Sequence, residues 1–288
     1  MKRLIVFLVA VFIFSASGIP KPPPGNDSKP TLLVGFFGGI NFTQPVSLNN
    51  FRVVNYLGTA PAITGKSYSG FLKNIGNQFG FIMFYPVKGN LHAGLLPSFN
   101  TCNYEYKTHQ MWQDAAGSSI EAERTNRQKL RYIEIPLVIR YYVGTANLKP
   151  FVEGFASYGL LQNAQKSVIS DFTQYTGQAA IPVQHSEMSG DYTSSYITSK
   201  IDLGAGGGIS YDFDQLIVTL GASYSFNMNN IVNEKGRFDN QTFSGSQYDV
   251  QDNIRLPALK INLAIIFPIS KITKRGAVDC HYFKEKRK

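Results

Sequence analysis

Along most of the chain every second residue is apolar, and the residues between are small, polar or charged. A period of two puts successive side chains on opposite faces of a strand, so the pattern predicts strands whose faces meet different surroundings. Eight such stretches stand out. In the first, Thr31 to Asn41, Leu32, Val34, Phe36 and Ile40 share one face, and Gly35, Phe37, Gly39 and Asn41 the other. The second and third, Gly76 to Val87 and Leu91 to Lys107, are joined by Lys88-Gly89-Asn90, which is hairpin-turn chemistry. In the fourth, Ile133, Ile135, Leu137, Ile139, Tyr141 and Val143 alternate with Tyr132, Glu134, Pro136, Val138, Arg140 and Tyr142. The fifth sets Val152, Tyr158 and Leu160 against Phe151, Glu153 and Ser157. The sixth, Ile201 to Phe213, sets Leu203 and Ile209 against Asp202 and a row of glycines. The seventh, Leu216 to Asn227, and the last, Ala258 to Phe267, repeat the plan, with Lys260 opposite the apolar face.

The connections have their own rhythm. Short turns follow the second, fourth and sixth stretches. Between them come long polar segments, approximately Thr43 to Ile75, Thr108 to Arg127, Ala164 to Tyr196 and Asn229 to Asn253. Bacterial outer-membrane barrels put short turns in the periplasm and long loops outside. The expected fold is therefore all-β, an eight-stranded antiparallel up-and-down transmembrane β-barrel with both termini periplasmic.

The ends fit an exported chain. Met1-Lys2-Arg3, the apolar run Leu4 to Phe14 and Ser15-Ala16-Ser17-Gly18 carry the three regions of a secretory signal peptide. Residues 19–30 read as an extended Pro-rich leader, 31–268 as the barrel, and 269–288 as a basic periplasmic tail. No cysteine follows the apolar run, which argues against lipidation there. Charged residues make up 16% and aromatics 13% of the chain, a balance that suits a membrane barrel. The mature sequence has no second apolar run as long as a spanning helix, so an integral protein of this sequence crosses as a barrel. Part of the net charge of +9 lies in the tail, and no nucleic-acid motif accompanies it.

Alternation alone also fits a secreted lipocalin-like barrel with an apolar cavity. Three features favour the membrane: long apolar faces nearly free of charge, glycine-rich opposite faces, and Tyr141, Tyr211, Phe213 and Phe267 near strand ends, where interface girdles sit. The stretches Tyr132-Ile133-Glu134-Ile135-Pro136-Leu137 with Tyr141-Tyr142, Lys149-Pro150-Phe151-Val152-Glu153-Gly154, and Asp202-Leu203-Gly204-Ala205-Gly206-Gly207-Gly208 resemble the PorT-like outer-membrane β-barrel proteins of Bacteroidetes. The resemblance implies an outer-membrane location and an eight-stranded plan. Most such proteins have no assigned function, and one branch serves a protein secretion and gliding apparatus. Barrels of that family usually stop at the last strand, whereas here about twenty residues follow Phe267.

An eight-stranded barrel is only wide enough for its own side chains. The interior is therefore expected to be a packed polar core in which Glu134, Glu153 and Asp202 pair with Arg140 and Lys260 on neighbouring strands. Pairing is required because an unpaired buried charge costs several kcal/mol. The histidines His92, His109, His185 and His281 lack zinc spacing, so no metal, cofactor or catalytic set is expected. A rim enzyme would combine His109 with Asp114, or His185 with Ser186 and Asp191. The glycine cluster at 204–208 lacks the lysine and helix of a phosphate loop. Cys102 and Cys280 lie too far apart for a bridge. The functional expectation is a structural or interaction role, as an accessory subunit of an envelope assembly. Its contacts would be outer-membrane lipid and protein partners docking on Lys271, Lys274, Arg275, Cys280, Lys284 and Arg287. The alternative is a ligand-binding or enzymatic site at the extracellular rim.

Overall fold

The structure is a computed structural model that describes residues 32–51, 66–113, 119–176, 179–213, 215–237 and 249–269. Its strands are β1 (Leu33–Thr43), β2 (Val46–Asn49), β3 (Ser67–Tyr68), β4 (Ile75–Lys88), β5 (Leu91–Leu95), β6 (Ser98–Gln113), β7 (Ser119–Tyr142), β8 (Leu148–Thr176), β9 (Ala179–Asp191), β10 (Ser199–Asp212), β11 (Ile217–Asn227), β12 (Asn253–Arg255) and β13 (Ala258–Pro268). The third predicted stretch is interrupted at Leu96-Pro97, because a proline has no N–H to give a ladder; β5 and β6 together hold one place in the wall.

The wall closes. From β1 the antiparallel pairings run through β4, β5 with β6, β7, β8, β10, β11 and β13, and β13 pairs back with β1, from Leu33 opposite Pro268 to Thr43 opposite Ala258. This is a ring of eight strand positions with no free edge, so the backbone polar groups of a membrane-spanning wall are satisfied internally. Short turns join β4 to β5, β7 to β8 and β10 to β11 at one end. Two of them use glycine in the left-handed region, Gly89 at φ 54° and Gly144 at φ 85°, where a side chain would strain the backbone.

The predicted alternation matches the wall residue for residue. Phe36, Phe79, Phe81, Phe99, Ile135, Leu137, Ile139, Tyr158, Leu203, Leu220 and Leu263 face outward and exposed. Tyr141, Tyr211, Phe213 and Phe267 lie on the same outer surface near the short turns, with the Tyr211 and Phe213 rings 4.4 Å apart. Among the described residues no helix is long and apolar enough to cross a membrane.

The other end differs from expectation. Thr108–Arg127 and Ala164–Tyr196, read from sequence as loops, are mostly strand: β6 and β7 stay zipped to Gln113 and Ser119, and β8 runs 29 residues before turning into β9. These hairpins continue β6, β7 and β8 well past the apolar belt. The strands read as loops because their outward positions become polar once they leave the belt, which removes the apolar stripe that flags a strand. The segment Asn229–Asn253 is corrected in a different way. Its final residues turn inward, and Asp249, Val250, Gln251, Asp252, Asn253, Ile254 and Leu256 are buried in the mouth of the barrel.

Candidate functional site

The lumen is stacked in three levels. Nearest the short turns, Leu33, Phe37, Ile82, Phe84, Leu96, Val138, Ala264 and Ile266 form an apolar cluster, so the interior is not the uniformly polar core expected. Arg140 sits among these side chains. Its guanidinium donates to Glu153 Oε2 at 2.9 and 2.6 Å and lies 4.1 Å from the Phe151 ring centre and 4.5 Å from that of Phe84. Two aromatic faces and a carboxylate thus surround one planar cation, a good use of arginine. Room for the rings comes from β10. A Cβ at Gly208 would collide with the Phe151 ring and with the backbone of Leu220, and one at Gly204 with the Phe155 ring.

The middle level is a polar layer. Lys260 Nζ donates to Glu134 Oε2 at 2.7 Å, and Lys200 Nζ donates to Glu134 Oε1 at 2.6 Å and lies 2.9 Å from Asp202 Oδ2. Asn41 donates to Asn100 at 2.6 Å, Asn100 donates to Glu134 at 2.8 Å, and Asn227 donates to Asp202 at 3.0 Å. Glu134, Lys200 and Asp202 are all buried. Two carboxylates and two ammonium groups balance in charge, and the amides tie β1, β6, β7, β10, β11 and β13 to the same cluster.

Of the residues singled out from sequence, Glu134, Asp202 and Lys260 meet here, whereas Arg140 and Glu153 form a separate pair below. The ion-pair partners of Glu134 also do not sit on neighbouring strands. Lys200 on β10 and Lys260 on β13 reach it across the lumen, since β7 pairs with β5, β6 and β8. Lys200 was missed because it stands one residue before the stretch taken as a strand. Its parity with Asp202 would have placed it inside. The tail residues Lys271, Lys274, Arg275, Cys280, Lys284 and Arg287 lie outside the described residues.

The outermost level closes the mouth. Cys102, Tyr104, Tyr106, Leu130, Tyr132, Leu161, Ala164, Val168, Tyr192, Tyr196, Ile231, Val232, Ile254 and Leu256 form its core. The inward-folded segment is held by charge. Asp249 accepts from Lys166 Nζ at 3.0 Å and from Tyr106 at 2.7 Å, and Asp252 accepts from Lys66 at 2.9 Å and Tyr68 at 2.7 Å. Burial pushes the Asp249 carboxyl up, but Lys166 and Lys66 outweigh it and hold the group below the usual carboxylate range.

Of the rim sets read from sequence, His185, Ser186 and Asp191 do not assemble. His185 lies 2.6 Å from Asp171, and His109 lies 2.5 Å from Glu121, which also accepts from Tyr175 at 2.6 Å. Ser186, the next residue after His185 on β9, points to the other face of that strand. Asp191 lies six positions along β9 from His185, and Asp114 is outside the described residues. Among the described residues no three His, Cys, Asp or Glu side chains gather as a metal site would require.

A closed β-ring with an apolar exterior and a charged, filled interior is the geometry of an outer-membrane barrel. The model of the Outer membrane protein beta-barrel domain matches residues 25–233, well over half of the chain. The chain belongs to that family. No curated protein matches the barrel. Among solved structures it is similar to Neisserial surface protein A, at 11% identity over 81% of this chain and 96% of that one, with a TM-score of 0.30. It is also similar to the outer membrane protease OmpT of Escherichia coli, at 9% identity over 88% and 99% with a TM-score of 0.32. A third is the N-terminal β-barrel domain of Pseudomonas aeruginosa OprF, at 10% identity over 83% and 100% with a TM-score of 0.26. The place of the barrel in the outer membrane rests on the family and on its own geometry.

Proposed function

We propose that the barrel is a non-enzymatic accessory subunit of a larger envelope assembly, of the PorT-like kind found in Bacteroidetes and related to secretion. In this reading it sits with both termini in the periplasm once a signal peptide at 1–18 is removed. The observation that carries it is the filled lumen. Three stacked levels of side chains, capped by the inward segment from Asp249 to Leu256, leave the outer hairpins and the tail as the parts available to act. Short turns at the terminal end support the orientation. The tail from 269 is cationic and follows the last strand directly, where it would meet an acidic periplasmic partner.

The test is isolation of the native protein from outer membranes in mild detergent, with mass spectrometry of what accompanies it. The full chain is compared with one ending after Ile269, since the Ile269 N–H still donates to Leu32 O at 3.0 Å. Partners present with the full chain and lost with the shorter one are expected. A barrel that comes out alone in both cases overturns the assembly reading. The His185–Asp171 and His109–Glu121 pairs favour one second reading, a rim site with hydrolytic activity, for which turnover by purified protein that His185→Ala abolishes is the requirement.

A further inference from the structure

The outer face of β6, β7 and β8 changes character within two residues. Phe99, Ile133 and Leu160 lie side by side in register as the last apolar row. The next outward row is Thr101, Arg131 and Asn163, and the one beyond it is Asn103, Lys129 and Gln165. For a strand tilted about 40°, these rows stand roughly 5 and 10 Å beyond the apolar boundary along the membrane normal. That is the depth of the headgroup layer, about 5 to 8 Å thick in each leaflet, and its outer margin.

The charges on these two rows are unlike those above them. Higher on the same face each basic side chain has a carboxylate: Arg127 with Glu105 at 2.9 Å, Lys107 with Glu123 at 2.5 Å, and His109 with Glu121 at 2.5 Å. Arg131 and Lys129 have no ion-pair partner among the described residues, and their lateral neighbours are a hydroxyl and amides. Lys129, Asn103 and Gln165 also line a cleft of about 650 Å³ together with Lys73. Its acidic members are already engaged, Glu105 by Arg127 and Ser69, and Asp191 by the Thr193 N–H. Lys200 and Lys260, by contrast, face the lumen and are paired with Glu134.

We propose that Arg131 and Lys129, with Lys73 at the cleft wall, bind the phosphate of a phosphorylated lipid in the leaflet around the hairpin end, its acyl chains lying against Phe99, Ile133, Ile135 and Leu160. Two cations stacked directly above an apolar row fit an amphiphile whose charge and chains are joined at that spacing, which a soluble anion does not offer. The site rests on the proposed orientation only for which leaflet it meets.

Binding is measured on the full-length protein folded in neutral detergent, by native mass spectrometry with diphosphorylated lipid A and with its dephosphorylated form. The phosphorylated lipid is expected to bind the native barrel at least about 10-fold tighter, and Lys129→Gln with Arg131→Gln to erase that preference, given about 5-fold per membrane-surface cation. Lys235→Gln, exposed in another loop, is expected to leave it intact. Equal binding of both lipids by the native protein overturns the proposal without any variant. Competition by millimolar inorganic phosphate at the same site also overturns it, by making this a site for free anions. Protease access to the β8–β9 hairpin on intact cells tests the orientation separately.

Discussion

Within the membrane belt and above it, the same strands present different outer faces. On β7 the outward residues from Ile133 to Tyr141 are apolar, and their inward neighbours include Glu134 and Arg140. Before Ile133 the outward positions are Glu121, Glu123, Thr125, Arg127, Lys129 and Arg131, and inward Leu130 belongs to an apolar and tyrosine core shared with Tyr104, Val168 and Ile254. The hydrogen-bond ladder runs unbroken through both regions apart from one shift at Arg131/Tyr132, opposite Gln162. The period of two is a property of the backbone, while the polarity assigned to each face is a property of the solvent it meets. Lipid selects apolar residues on the outside of the lower half. Water selects charge on the outside of the upper half, where the interior combines that core with buried polar side chains such as Arg124, Asn126, Gln128 and Lys166.

The largest effect is expected at the middle level of the lumen. Glu134→Ala leaves Lys200 and Lys260 buried against each other, and a loss of about 3–5 kcal/mol is expected, because the remaining charges keep their desolvation cost. Urea unfolding in lipid vesicles measures it. Leu137→Arg, outward at the middle of the belt, is expected to cost about 2–4 kcal/mol in the same assay. Glu123→Arg, outward on the same strand above the belt, is expected to change stability by less than about 1 kcal/mol. Similar costs at the two sites would remove the distinction between the halves.

The mouth segment adds a pH dependence. Because the folded Asp249 carboxyl lies below its unfolded value, its contribution is complete at pH values above the unfolded carboxylate range. It is lost as the pH falls through that range and past the folded value. Protection of the amides across 249–256, taken relative to their intrinsic exchange rate at each pH, is therefore expected to fall on acidification, and Asp249→Asn to abolish that acid dependence while leaving the belt strands protected. The smallest effect is at the hairpin tip: His185→Ala breaks an exposed pair with Asp171 and is expected to shift stability by under about 0.5 kcal/mol.

How much was legible follows from which signals are local. Alternation, turn chemistry and the rhythm of connections are carried by neighbouring residues, so the strands of the belt, their inward and outward faces and the closed antiparallel plan were determined by the sequence itself. Glu134, Asp202 and Lys260 were placed inside by parity alone. Which of them meet was decided by the curvature of the ring, which brings β10 and β13 across to β7 and separates Arg140 with Glu153 from the rest. The outer hairpins were hidden because a strand that passes from lipid into water loses its outward apolar stripe while inward residues such as Arg124, Asn126 and Gln128 stay polar, and the inward turn of Asp249 to Leu256 because a loop's burial depends on the space left by other strands. Sequence fixes periodicity because the backbone repeats every two residues. Only tertiary structure decides pairing across a lumen, since that distance is set by the closure of the whole wall.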